Sequence, residues 1–181
     1  MNNLFLDLGN QPIVNNLCSS KNESINITKY PLKAIYNSDL LINLNLEIPP
    51  DILYEEYFYR SSINIPYIKH CEDMFETIRH LKSEVIIDIG GNDGTLLNTF
   101  KRKFRILEGE NNLKRRYINV DASSSFYEVN KKSGIEFKNK FFNEYIDLPK
   151  ADIITSTNVF QHTKDIDSFL KGITKFLDGI W

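Results

Sequence analysis

Val85-Ile86-Ile87-Asp88-Ile89-Gly90-Gly91-Asn92-Asp93-Gly94-Thr95-Leu96-Leu97 decides the fold, because an apolar β run, a glycine-bearing turn and a helix start follow one another directly. A parallel strand covered on both faces reads as a continuous β-branched run, and Val85-Ile86-Ile87 is one. Gly90 and Gly94 bracket the turn. Without a Cβ they let the backbone take positive φ and lie close to a ligand at the strand's carboxyl end, beside the amino end of the next helix. The segment therefore reads as the first strand, nucleotide loop and first helix of a doubly wound α/β domain that binds a small nucleoside-like ligand.

The spacing is D-x-G-x-x-x-G. It is not the G-x-G-x-x-G of dinucleotide sites, and it lacks the Lys-Ser/Thr ending of a P-loop, which argues against NAD and ATP. A second acid stands where a nucleoside needs one. Tyr117-Ile118-Asn119-Val120 reads as a second strand ending in Asp121, whose carboxylate can accept both ribose hydroxyls. Asp121 lies somewhat far from Gly94 for a simple helix-and-loop crossover. The excess falls in Arg105 to Lys114, where Glu108-Gly109-Glu110-Asn111-Asn112 suggests an inserted surface loop.

A chain of 181 residues fits one domain with a small attachment, and 41% hydrophobic residues suffice for a core of ordinary size. Lys and Arg total 22 against 24 for Asp and Glu, so no global field favours nucleic acid or an anionic membrane. Local clusters at Lys101-Arg102-Lys103-Arg105 and Lys114-Arg115-Arg116 alternate with apolar residues and read as solvated faces rather than an RNA surface. Cys18 and Cys71 stand alone without C-x-x-C spacing, which supports neither a disulfide framework nor a cysteine zinc site. No run approaches the ~18 apolar residues of a membrane span. No basic and apolar leader opens the chain, so a cytoplasmic, soluble protein is the expectation.

Three regions are expected. Residues 1–50 form a small irregular N-terminal lobe, with Leu4-Phe5-Leu6 and Leu40-Leu41-Ile42 between Asn- and Ser-rich turns. Residues 51–82 form a helical linker or lid. Asp51 caps a helix carrying Ile52, Leu53, Tyr54, Tyr57 and Phe58, and a second helix over 66–82 carries Ile68, Cys71, Met74, Phe75, Ile78 and Leu81 on one stripe. Residues 83–181 form a Rossmann-like core: strands at 84–89, 116–120, 135–138 and 151–156 alternate with helices at 94–103, 123–132 and 165–177. Gly134 ends the middle helix. The chain stops at Asp178-Gly179-Ile180-Trp181, about where a fifth strand would begin.

The turn resembles the loop of class I S-adenosylmethionine (SAM) methyltransferases, and scattered segments narrow the likeness. Phe5-Leu6-Asp7-Leu8-Gly9-Asn10-Gln11-Pro12, Tyr57-Phe58-Tyr59-Arg60-Ser61-Ser62, Ile89-Gly90-Gly91-Asn92-Asp93-Gly94-Thr95-Leu96-Leu97 and Asn158-Val159-Phe160-Gln161-His162 together resemble the C-methyltransferases of nucleotide-activated deoxysugars. Those enzymes join a zinc-binding lobe, a SAM core and a carboxyl-terminal domain, of which this chain would cover about the first half. The resemblance implies that Asp88 holds the methionyl amino group and that Gly90, Gly91, Asn92, Asp93 and Gly94 line the methionyl and ribose side. Asp121 would hold the ribose, Ala122 and Phe142 would stand near the adenine, and Asn158 and Val159 would face the sulfonium. His162 and either Tyr57 or Tyr59 would belong to the active site, and spacing does not choose between the tyrosines.

Two departures bear on function. Tyr36-Asn37-Ser38-Asp39 stands where the family has paired cysteines and no C-x-x-C precedes Phe5, so no zinc is expected. A missing fifth strand would expose a sheet edge or call for a protein partner to cover it. The first function implied is SAM-dependent methylation of a small-molecule acceptor such as a nucleotide sugar; the second is a non-catalytic SAM- or SAH-binding module that serves as a partner subunit or is a degenerate methyltransferase fragment. A nucleic-acid methyltransferase would carry Asn/Asp-Pro-Pro-Tyr/Phe after the fourth strand, and Ser156-Thr157-Asn158-Val159 is not that sequence.

Overall fold

The structure, a computed structural model, describes residues 3–14, 17–36, 42–44, 48–54, 57–109 and 114–179. Leu40-Leu41, the Asn37-Ser38-Asp39 segment, Glu110-Asn111-Asn112 and Ile180-Trp181 lie outside the described residues. The chain divides into two units, Met1–Tyr59 and Arg60–Trp181.

In the second unit, β4 (Val85–Ile89), β5 (Arg116–Asp121), β6 (Glu136–Asn139) and β7 (Ile153–Ser156) form a parallel sheet in the order β6-β5-β4-β7. The chain steps outward from β4 to β6, then returns to pair β7 with the other side of β4. That reversal is the topological switch point of a doubly wound sheet, and ligands of such folds bind at the carboxyl ends beside it. The expected Rossmann-like α/β core is thus present.

Alternation along the strands splits the core in two. Ile86 and Tyr117 join Cys71 and Phe75 of α3 (Ile65–Ile78) and Leu96, Leu97, Phe100 and Phe104 of α4 (Thr95–Glu108). Ile87, Ile89, Ile118 and Val120 point the other way, onto Phe169 and Phe176 of α6 (Ile166–Phe176). Phe75 meets Phe104 edge-on at 4.8 Å between centroids and Phe100 at 5.9 Å. Each such buried ring contributes about 1.5–3 kcal/mol of transfer free energy.

The helix ends are chemically marked. Asn64 caps α3 through its side-chain oxygen, and Pro66 sits in the first turn, where its missing N–H costs nothing. Asp165 caps α6 by accepting the Ser168 N–H at 2.9 Å. Gly134, at φ 65, follows α5 (Tyr127–Lys132) and stops it, as its position in the sequence suggests.

Several expectations need correction. Helix α4 runs to Glu108 and ends at Gly109, at φ 62, so the stretch from Arg105 to Glu108 at the start of the supposed loop is helix. Its last turns carry exposed Ile106 and Leu107, which blurs the apolar stripe. Residues 66–82 also shorten to α3, which belongs to the second unit and supplies part of its core.

The first unit, considered alone, is more regular than its sequence suggests. Strands β1 (Asn3–Pro12), β2 (Lys29–Tyr36) and β3 (Ile42–Leu44) form an antiparallel sheet, with α1 (Lys21–Asn26) between the first two. Ser19, Ser20 and Glu23 together cap α1: Ser20 Oγ accepts the Glu23 N–H, and the Glu23 carboxylate accepts the Ser19 N–H and hydroxyl. Register shifts in β1 break its period-two alternation and explain why it does not read as a strand. The helix expected through Phe58 is only α2 (Pro50–Tyr54), with Pro50 inside it rather than before a cap at Asp51; residues 57–60 are irregular.

Candidate functional site

The switch point gathers the two acids of the sequence reading. Asp88, the fourth residue of β4, is fully buried; its Oδ1 accepts the Thr155 hydroxyl from β7 at 2.8 Å. Its Oδ2 has no hydrogen-bond partner among the described residues. Burial pushes this carboxyl up to about 7, the Thr155 bond opposes the rise, and the Asp121 charge adds to it. A buried carboxylate oxygen left over in this way is an acceptor held ready for a donor.

Asp121 closes β5 and is half-buried. Its Oδ2 accepts the Asn92 N–H at 2.9 Å and its Oδ1 the Ser123 N–H at 2.8 Å. Burial raises its pKa above the ordinary carboxylate value, while those two N–H bonds oppose the rise. A carboxylate has about four acceptor positions. Two are used here, and the others can face a diol.

Between the acids lies the turn. Gly90, at φ 66, donates its N–H to the Val120 carbonyl at 2.7 Å, and a Cβ there would collide with Val159 Cγ2. A Cβ on Gly91 would fall 2.6 Å from Asn119 Oδ1 and 2.7 Å from Asp88 Oδ2. Gly94, at φ 77, opens α4, and its Cα backs onto Asn130 Oδ1 and Ile135. Each glycine is thus required by sterics at the acids' edge, as expected for a chain that must pass close to its neighbours.

The side chains of Asn92 and Asp93 hold neighbouring groups of the second unit. Asn92 Oδ1 accepts the Ser61 N–H at 3.0 Å, and Asp93 Oδ2 accepts the Ser62 N–H at 3.1 Å. Asp93 Oδ1 takes the Thr95 hydroxyl at 2.6 Å. Among the backbone groups of the turn, the Asn92 N–H still points at Asp121.

The remaining candidates are spread around the rim. Ala122 follows Asp121, and its carbonyl accepts the Asn139 carboxamide at 2.7 Å. Asn158, at φ 57, is exposed after β7, and Val159 behind it is half-buried against Gly90. His162 is exposed on the short 3-10 turn Phe160–His162, with its backbone N–H on the Val159 carbonyl. Phe142 packs edge-on against Phe169 and Phe176 at 5.1 and 6.1 Å and fills the space left by Gly172. Tyr57 and Tyr59 belong to the first unit, where their rings pair at 6.5 Å.

Sequence reasoning missed three groups here. Thr155 holds Asp88, Asn119 touches Gly91, and Asn130 touches Gly94. Asn119 carried a signal: it is a polar residue inside a run that otherwise reads as a strand buried on both faces. Tyr67 of α3 is a further polar group nearby, sharing a hydrogen bond with Thr157 Oγ1 at 2.8 Å; burial and the Asp88 charge raise its pKa.

Among the described residues, no three His, Cys, Asp or Glu side chains come together as metal ligands. No described helix is long and apolar enough to cross a membrane.

No protein-family model matches the sequence, and no curated protein matches it. Solved structures do. The YcgJ protein of Bacillus subtilis is 20% identical, with a TM-score of 0.47 over 60% of this chain and 46% of its own. A SAM-dependent methyltransferase from Thiobacillus denitrificans, in complex with S-adenosyl-L-homocysteine (SAH), is 14% identical with a TM-score of 0.46 over 61% of this chain and 44% of its own. A SAM-dependent methyltransferase from Geobacter sulfurreducens, also in complex with SAH, is 14% identical with a TM-score of 0.49 over 74% and 53%. The chain spans about half the length of these structures.

Proposed function

We propose that this chain is a SAM-dependent methyltransferase whose cofactor lies at the carboxyl ends of β4, β5 and β7. One observation carries the proposal: Asp88 and Asp121 flank a sterically constrained glycine turn, and Asp88 keeps a buried oxygen without a hydrogen-bond partner among the described residues. The residues fit the group. The Asp88 oxygen suits an ammonium, directly or through water, and the Asp121 carboxylate suits the two ribose hydroxyls. Gly90, Gly91 and Gly94 would let the ligand approach the backbone, with Asn92 and Asp93 holding the turn. Ala122 and Phe142 are assigned to the adenine side, and Asn158 and Val159 to the sulfonium side. SAM supplies an electrophilic methyl group.

On the resemblance, the acceptor class is a nucleotide-activated keto-deoxysugar. Its carbon becomes nucleophilic only after a proton next to the keto group is removed, so a base and an enolate-stabilising donor are required. The resemblance assigns one of these tasks to His162 of the second unit. The methyl transfer then needs in-line placement, which is positioning rather than further proton chemistry. The marked exposure of His162 favours a second reading, a SAM- or SAH-binding subunit that does not turn over unaided.

Titration calorimetry with SAM and SAH tests the common part. Micromolar binding by the wild type, lost in Asp121→Ala that remains folded, is the expected result. Absence of binding by folded wild type would end both readings. Transfer of a labelled methyl group to a keto-deoxysugar nucleotide then separates the enzyme from the binding subunit.

A further inference from the structure

We infer that Asn119 and Asn130 are positioning residues of this site: two buried carboxamides that hold the Gly90–Gly94 turn in its ligand-ready shape. The ligand's identity rests on the cofactor proposal above, whereas the turn's geometry does not.

Both side chains are fully buried. Asn119 Oδ1 accepts the Gly91 N–H at 3.1 Å. Its Nδ2 donates to the Asn92 carbonyl at 2.9 Å and to Asn130 Oδ1 at 3.0 Å. Asn130 Nδ2 donates to the same Asn92 carbonyl at 3.0 Å and to the Phe126 carbonyl at 2.9 Å. Both N–H groups of each carboxamide are therefore used, and the Asn92 carbonyl takes two donors.

Burying two amides is costly unless every group is satisfied, and apolar residues would serve a sheet core better. What the pair does instead is specific to the turn. Asn92 is held at φ 53, a left-handed conformation that asparagine tolerates better than most residues, and this turns its carbonyl toward the pair. With the carbonyl held there, the Asn92 N–H faces Asp121. The two carboxamide oxygens also stand where a Cβ on Gly91 or Gly94 would fall, so the network and the glycines require each other. A loop fixed in this way binds without an ordering cost at the moment of ligand entry.

The test uses the full chain with Asn119→Asp and Asn130→Ser, and Phe104→Leu as a core variant away from the turn. Asn119→Asp keeps an acceptor for Gly91 while removing the donors; Asn130→Ser opens the network from its far side and decides if the first variant does not fold. Ligand-free amide exchange at 91–94 should quicken by about tenfold relative to the sheet, with the SAH dissociation constant rising about tenfold, both read where the proteins are folded. Phe104→Leu should lower the melting temperature and move neither. Unchanged relative exchange in the turn of the folded variants, or unchanged affinity beside a binding wild type, would overturn the inference. A wild type that binds neither SAM nor SAH would defeat the cofactor proposal, and the exchange comparison would still decide the positioning role.

Discussion

Asp93 accepts the backbone N–H of Ser62 at 3.1 Å across 31 residues of sequence, while its other oxygen takes the Thr95 hydroxyl at 2.6 Å. Beside it Asn92 does the same for Ser61. The glycine turn is therefore tied on one side to the segment entering α3 and on the other to β5. Asp93→Ala should destabilise the second unit by about 1–3 kcal/mol, because a charged acceptor is lost and two donors are left with water or nothing. Asp93→Asn, which keeps one oxygen, should lose less. Urea denaturation gives the magnitudes, and equal stability of Asp93→Ala and wild type would refute the clasp.

Gly90 and Val159 make a steric pair that can be separated by a double-mutant cycle. Gly90→Ala adds a Cβ where Val159 Cγ2 already lies, at a φ of 66. Overpacking of this kind costs about 1–3 kcal/mol, and the left-handed backbone about 1–2 kcal/mol more. Trimming the neighbour with Val159→Ala should recover the first cost and leave the second. The expected coupling is about 1–2 kcal/mol in favour of the double variant. Strict additivity would show that the two residues do not meet.

Asp88 sets a pH dependence whose sign follows from its raised folded value. An unfolded Asp titrates near ~3.9, and the folded group near about 7. Below the unfolded value both states hold the proton, and the contribution to stability is fully present. Between the two values the folded state holds more proton than the unfolded state, so stability falls as pH rises and levels off above the folded value. The slope contributed approaches about 1.4 kcal/mol per pH unit. Asp121, also raised, acts in the same direction; Asp7, Glu23 and Glu72, held low by their partners, act in the opposite one. These groups are common to Asp88→Asn, so the difference between the variant and wild type isolates Asp88. Relative to wild type, Asp88→Asn should become steadily more stable from about pH 4 to pH 7. Parallel urea-stability profiles would show that Asp88 is not a buried acid.

The strands of the second unit were legible because Val85-Ile86-Ile87 and Tyr117-Ile118 have no polar face, and the acids at their ends mark the ligand edge. The far end of α4 was not, because exposed Ile106 and Leu107 interrupt its polar face and Gly109, its true stop, reads as part of a loop. In β1, exposed Leu4, Phe5, Leu6 and Leu8 and two register shifts conceal a strand from any alternation rule. At the site, a motif specifies which residues occur and not where their side chains turn. The bonds from Asn92 to Ser61 and from Asp93 to Ser62 have no sequence signal of their own. Asn119 and Asn130 act through contacts between a strand, a helix and a turn, which have no single sequence interval.

Arg115 locks the end of α4 to the start of β5 in a geometry that a simple positive charge cannot reproduce. Its guanidinium carbon lies 3.7 Å from the Phe104 ring centroid. Nη1 and Nη2 reach the two Glu108 oxygens at 2.8 and 3.1 Å, and Nε donates to the Ser83 carbonyl. The side chain is only 13% exposed, so stacking and the fork act away from full solvent screening. Lysine can form one of these contacts at a time. Arg115→Lys should therefore lose most of what Arg115→Ala loses, about 1–2 kcal/mol by the scale of partly buried stacking and charge-assisted bonds. Because the stacked and backbone contacts are not pure ion pairing, the loss should persist at high salt. A lysine variant as stable as wild type in urea would reduce Arg115 to a solvated surface charge.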